Sequence, residues 1–151
     1  VYSVIEETAE RDGLPMRLDR IKRTPNTLAA HRLVRFASRL QLADRMTDLL
    51  FAAYFVECLD IGDRDVLLAK AAEAGIEPDL ARDHLAGNAD VAAIRATESV
   101  ARQIGIQAVP CFIFNRRYAL AGAQEPSAFL PLLDLAAEEV TPLPQRVMRP
   151  A

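Results

Sequence analysis

Cys58, Cys111, His31 and His84 are the side chains here whose types attack, move protons or hold metals. The two cysteines lie 53 positions apart (111 − 58), which is neither a disulfide framework nor a zinc pattern. A thiol attacks only as its thiolate, and apolar neighbours with no cation raise its pKa and leave it inert. Both cysteines have such neighbours, and a free cysteine is also a good small core residue. Both are therefore expected to be reduced and unbridged. His31 sits in the first turns of a predicted helix, as a general acid–base or as a packing and capping residue. His84, beside Asp83 near a helix end, reads as a partner of the C-terminal helix dipole. Asn26, within Thr24-Pro25-Asn26-Thr27, has the side chain that closes local turns. No phosphate-binding loop, dinucleotide fingerprint, metal-ligand spacing or serine triad occurs.

The elements that must hold these residues are well punctuated. The stretch Gly105-Ile106-Gln107-Ala108-Val109-Pro110-Cys111-Phe112-Ile113-Phe114, followed by Gly122-Ala123-Gln124, is the most informative. A helical pattern stops at Gly105, and Pro110 stands directly before an apolar run. Lacking an amide donor, the proline marks where a strand begins. X-Pro is also the bond at which a cis peptide is cheap, usually in a tight turn. Residues 112–114 and 118–121 read as an antiparallel hairpin around Asn115-Arg116-Arg117. Upstream, residues 4–12 end a helix stopped by Gly13, and 14–21 alternate as a half-buried strand with Leu14, Met16 and Leu18 inward. Helices are predicted over 28–40, with Thr27 as cap, and over 44–58, 63–74, 78–86 and 89–104. A last helix starts near Pro126, with Pro131 in its first turn or kinking it. The segment 44–58 is apolar nearly all round, which places it in the middle of a helical cluster. Leu49, Leu50, Phe51, Tyr54 and Phe55 are expected to centre a helical core, and Leu18, Val109, Ile113 and Leu120 a sheet core.

A chain of 151 residues, 51% apolar and 26% charged, suits one globular domain. Its net charge of −3, with basic and acidic residues interspersed, is no footprint for a nucleic acid. The longest apolar run, 49–56, is too short to cross a bilayer, so neither nucleic acid nor membrane is an expected partner. The chain begins Val-Tyr-Ser-Val-Ile-Glu-Glu, without a signal-peptide pattern or an initiator methionine. The expectation is a fragment, a processed product or the ordered remainder of a longer protein.

Three motifs, in order, carry a family resemblance. They are Pro25-Asn26-Thr27 with Ala30-His31-Arg32-Leu33; Leu50-Phe51-Ala52-Ala53-Tyr54-Phe55-Val56-Glu57 with Asp60-Ile61; and residues 105–110 with Gly122-Ala123-Gln124. Together, from about Gly13 to Glu138, they resemble the DsbA-like thioredoxin family. The nearest likeness is to its FrnE-like branch of bacterial oxidoreductases, to which the 2-hydroxychromene-2-carboxylate isomerases are related. The resemblance implies an α/β, thioredoxin-like fold with a helical insertion. Residues 1–27 and 88–140 would form the thioredoxin-like part, 28–87 the insertion and 141–151 a proline-rich tail. In that family the first strand and the helix bearing Cys-x-x-Cys precede the point where this sequence starts. The implied catalytic nucleophile is therefore not in this chain, and the segment alone is expected to be inactive.

The resemblance also implies roles. Pro110 would be the cis-proline facing the redox site, and Val109 would offer its backbone N–H and C=O to an extended peptide or to glutathione. Asn26, with His31 nearby, would lie at the cleft rim and bind substrate. Cys111 would be an accessory thiol, and Gln124 would lie on a loop leading to a helix N-terminus suited to a carboxylate. Beside each stands a plainer role: a trans proline, a turn asparagine, a packing histidine, a core cysteine, a loop glutamine. The implied function is a DsbA/FrnE-like thiol–disulfide oxidoreductase in the bacterial cytoplasm. It would need no cofactor, would act on thiol or disulfide substrates, and would admit glutathione as a co-substrate. Two alternatives stay open: a glutathione-dependent isomerase of the 2-hydroxychromene-2-carboxylate type, and a non-catalytic remnant. The latter would bind a partner, or a second copy as a homodimer, through an exposed sheet edge.

Overall fold

In a computed structural model, which describes residues 2–106 and 109–140, helix punctuation sets most of the boundaries. The tail expected over 141–151 lies outside the described residues. The chain divides into two units, Val1–Thr97 and Glu98–Ala151. The first holds α1 (Tyr2–Arg11), α2 (Leu28–Arg39), α3 (Ala43–Phe51), α4 (Arg64–Ala74) and α5 (Pro78–Ala86). α6 (Val91–Gln103) begins in the first unit and ends in the second. Asp63 caps α4 by accepting from the Asp65 and Val66 amides at 2.8 and 3.3 Å. Gly75, at φ +95°, ends α4 in the left-handed conformation that suits glycine. The Glu77 carboxylate accepts from the Leu80 amide at 2.9 Å, and Pro78 opens α5 where no amide donor is needed. Thr27, expected to cap α2, makes no side-chain cap bond; Asn26 Oδ1 instead accepts from the Leu28 amide at 3.0 Å.

α2 packs against α3, α4 and α5, and Leu33, Met46 and Leu67 are fully buried among them. Each such side chain contributes about 1.5–3 kcal/mol by leaving water. Ala37, Ala53, Ala71 and Ala81 let the helices approach closely. The expected centre of the core is displaced. Leu50 belongs to it, Leu49 and Tyr54 pack at its edge, and Phe51 is 59% exposed. The cause is a change of helical pitch. α3 passes into a π-helical turn, Ala52–Val56, in which the Glu57 amide donates to the Ala52 carbonyl at 2.9 Å. The wider turn breaks the register of a continuous helix and leaves Tyr54 and Phe55 half-buried at its edge.

The strand expected over 14–21 is not formed. Leu18–Arg20 is a single 3₁₀ turn, and the sheet among the described residues has two strands, both in the second unit. A strand needs a ladder partner, and here the Met16 amide folds back to the Leu14 carbonyl while the Arg17 amide donates to Phe55 O, each at 2.8 Å. Leu18 is buried and Leu14 is exposed.

In the second unit, β1 (Cys111–Phe114) and β2 (Tyr118–Ala121) pair antiparallel, Cys111 opposite Ala121 and Phe114 opposite Tyr118. Asn115 and Arg116 both take left-handed φ values (49° and 58°), and the Arg117 amide returns to Phe114 O at 3.0 Å. That turn matches the twist of a hairpin. Pro126–Ala128 is a 3₁₀ turn before α7 (Leu130–Val140), which carries Pro131 in its first turn and packs on β1. Phe112 meets Phe129 edge-on at 4.8 Å, and Asn115 Nδ2 donates to Ala136 O at 2.8 Å. The expected sheet core is correspondingly thin: Val109 and Ile113 are exposed and Leu120 is half-buried. A two-stranded hairpin under one helix has little to cover it.

Candidate functional site

Val109, Pro110, Cys111 and Gln124 fall in the second unit, and Asn26 and His31 in the first. The first four are gathered by the hairpin. The Val109–Pro110 bond is cis, and Val109 is 86% exposed. The Pro110 carbonyl accepts from the Gly122 amide at 2.7 Å, which ties the start of β1 to the end of β2. Gly122 has φ +81°, and beyond it Gln124 Nε2 donates to Ala121 O at 3.0 Å, closing the turn. Cys111 opens β1 as a free, half-buried thiol. What the cluster offers chemically is an exposed residue, Val109, beside a proline whose carbonyl is tied to Gly122 at the end of β2. Such a segment can present its backbone to another chain.

In the first unit Asn26 and His31 frame the start of α2. Asn26 is exposed, and its side-chain oxygen is spent on the Leu28 amide. Its backbone is pressed by Gly62: a Cβ there would lie 3.1 Å from Asn26 O and 3.0 Å from Asp60 Oδ1. Asp60 in turn binds Arg23 and accepts from the Gly62 amide, and these bonds hold its carboxyl below the usual range. His31 is exposed on α2. It stands on the wall of an open pocket of about 340 Å³, with Thr24, Pro25, Phe51, Tyr54 and Phe55 among its other walls. Sequence reasoning missed this pocket, because the π-helical turn that aims Tyr54 and Phe55 leaves no mark in the apolar periodicity.

Arg32, Asp90 and His84 are held in structural contacts within this unit. Arg32, nearly buried, donates to the carbonyls of His84, Gly87 and Ala89 at 2.6, 2.6 and 2.8 Å, fastening the α5–α6 connection to α2. Asp90 bridges Arg35 and Arg39 at 3.0 and 2.9 Å. Burial works to raise its pKa, but those two guanidinium bonds outweigh it and the carboxyl lies below its ordinary value. His84, expected as a dipole partner, is instead buried and stacks on Phe36 at 4.5 Å. Burial holds its pKa below 6.5, so the imidazole is neutral at pH 7 and brings no charge to the helix end. Cys58 is a free thiol whose Sγ lies 3.4 Å from Arg17 O. Among the described residues no cluster of His, Cys, Asp and Glu could hold a metal, and no helix is long and apolar enough to cross a membrane.

The DSBA-like thioredoxin domain family matches residues 1–134. This chain belongs to that family. Its fold is thioredoxin-like and DsbA-like, mostly helical with a small two-stranded sheet. Among solved structures it is similar to a probable DsbA oxidoreductase from Streptomyces coelicolor, at 31% identity and a TM-score of 0.75. That match covers 89% of this DsbA-like chain and 58% of the Streptomyces one, so the chain spans somewhat over half of that relative's length. No curated protein matches the sequence.

Proposed function

We propose that the polypeptide carrying this DsbA-like domain is a thiol–disulfide oxidoreductase of the FrnE-like type. Its attacking thiolate would come from a Cys-x-x-Cys outside residues 1–151. The observation that carries this reading is the exposed Val109–Pro110 segment tied to Gly122, in a chain of the DsbA-like family. Val109 presents its backbone to the peptide around the substrate sulfur. The attacking thiolate displaces one sulfur of the substrate disulfide, which leaves as a thiolate and takes a proton. The second cysteine then breaks the mixed disulfide, so the substrate is reduced and the enzyme oxidised, or the reverse for oxidation. Glutathione serves as the small-thiol co-substrate that resets the pair. Cys58 and Cys111 are free, half-buried thiols, which supports a packing role for them over that of the attacking thiolate. Reduction of a fluorescent disulfide peptide tests this with two proteins. The full natural polypeptide should turn over and residues 1–151 alone should be silent; equal turnover by the two would overturn the reading.

A further inference from the structure

A hollow of about 300 Å³ lies wholly within the second unit, lined by the chain leaving α6 and by the turn end of the hairpin. We propose that it binds a free aliphatic carboxylate of about ten carbons, with Arg116 meeting the carboxylate. Val109 and Cys111 stand at the opposite end of β1, so the site is separate from the segment that presents a disulfide substrate.

The walls set the apolar half of the ligand. The chain leaves α6 through Gly105, at φ +82°, whose amide donates to Arg102 O at 3.0 Å while the Ile106 amide donates to Ala101 O at 2.9 Å. That double closure turns the chain sharply and leaves Ile104 and Ile106 lining the hollow. Ile113 and Ala119, paired across β1 and β2, line it from the sheet. Ile104 and Ile113 are exposed, and apolar surface of this kind gains free energy when it is covered. The one ring in the lining, Tyr118, has Arg117 over it, 5.9 Å from its centroid. An alkyl chain therefore suits the hollow better than a further ring. An apolar cavity of ~150 Å³ holds one benzene, so this one takes a chain of about ten carbons.

The polar half is set by charge. No Asp or Glu is among the lining residues, whereas two arginines are. Arg116 is exposed and makes no ion pair among the described residues. Its guanidinium can grip a carboxylate through two parallel N–H bonds. The backbone supplies an independent sign. Asn115 and Arg116 hold the left-handed centre of the hairpin turn, at φ 49° and 58°, where asparagine followed by glycine is the favoured pair. Asn115 tolerates that conformation and uses its side chain on Ala136 O. Arginine there strains a backbone that glycine would relax, and no contact within the described fold repays it. Strain of that kind is kept where the side chain serves a site.

The probe is decanoate, titrated into the full natural polypeptide and read by ligand-detected NMR. The comparison arms are 1-decanol, decylammonium and N-acetyl-Leu-Leu with a free terminal carboxylate. Saturable binding of decanoate is expected, with decanol at least about tenfold weaker because it leaves the guanidinium unmet, and decylammonium weaker still. The dipeptide should also be weaker. Arg116→Gly suits the turn, so it should unfold at a higher urea concentration and yet bind decanoate at least about tenfold more weakly. Ala119→Phe fills the hollow and should abolish binding, while Arg116→Lys keeps the charge and should retain part of it. No saturable binding of decanoate, equal binding of decanol or decylammonium, tighter binding of the dipeptide, or an Arg116→Gly protein that binds as well as the parent or is no more stable would each overturn the proposal.

Discussion

Asn26 shows how one side chain can look functional and yet be occupied. Its oxygen caps α2 through the Leu28 amide, so Asn26→Ala should cost about 0.5–2 kcal/mol of stability, while Asn26→Asp keeps an acceptor and should cost much less. Urea unfolding of both variants checks this, and equal losses would mean that the cap bond carries no weight. His84 makes a second case. Burial lowers its pKa first of all; the Arg32 carbonyl and Asp90 oppose this, and the Arg32 and Arg39 charges add to it. The folded chain then takes up this proton less readily than the unfolded chain. The contribution is present above pH 6.5 and is lost as pH falls through the lowered folded value. His84→Phe keeps a ring against Phe36 and removes the proton. The variant should lose the decline in stability seen on acidification below pH 6.5, and an unchanged decline would contradict the assignment.

At the scale of elements, α2 and α3 divide residues that look alike in sequence. Leu33 is fully buried and Phe51 is 59% exposed. Leu33→Ala should therefore cost about 2–5 kcal/mol, whereas Phe51→Ala should cost under about 1 kcal/mol. Thermal unfolding of the two variants reads the contrast, and comparable losses would return Phe51 to the core. The helices, the hairpin and the β1 proline were legible because each has local punctuation: Asp63 and Gly75 around α4, Pro78 on α5, Pro110 before β1. The π-helical turn was not, because it is a hydrogen-bond shift inside an unbroken apolar run. Nor was the loss of the 14–21 strand, since alternation records which faces are apolar and says nothing about whether a partner strand pairs with them. The Val109 side of the candidate site was readable from Pro110 and Gly122. The pocket beside His31 depends on turns distant in sequence and was not.

At the scale of the molecule, residues 1–134 match the DsbA-like domain while the chain spans 58% of the Streptomyces relative. The two units divide the candidate residues between them. The central claim is that these residues present and position a substrate while a thiolate outside them does the attacking. The most direct measurement is to trap the mixed disulfide. The full natural polypeptide is mixed with a disulfide peptide, quenched with acid and mapped by mass spectrometry after proteolysis. The peptide adduct is expected on a cysteine outside residues 1–151, with Cys58 and Cys111 unmodified. An adduct on Cys111 or Cys58 would contradict it.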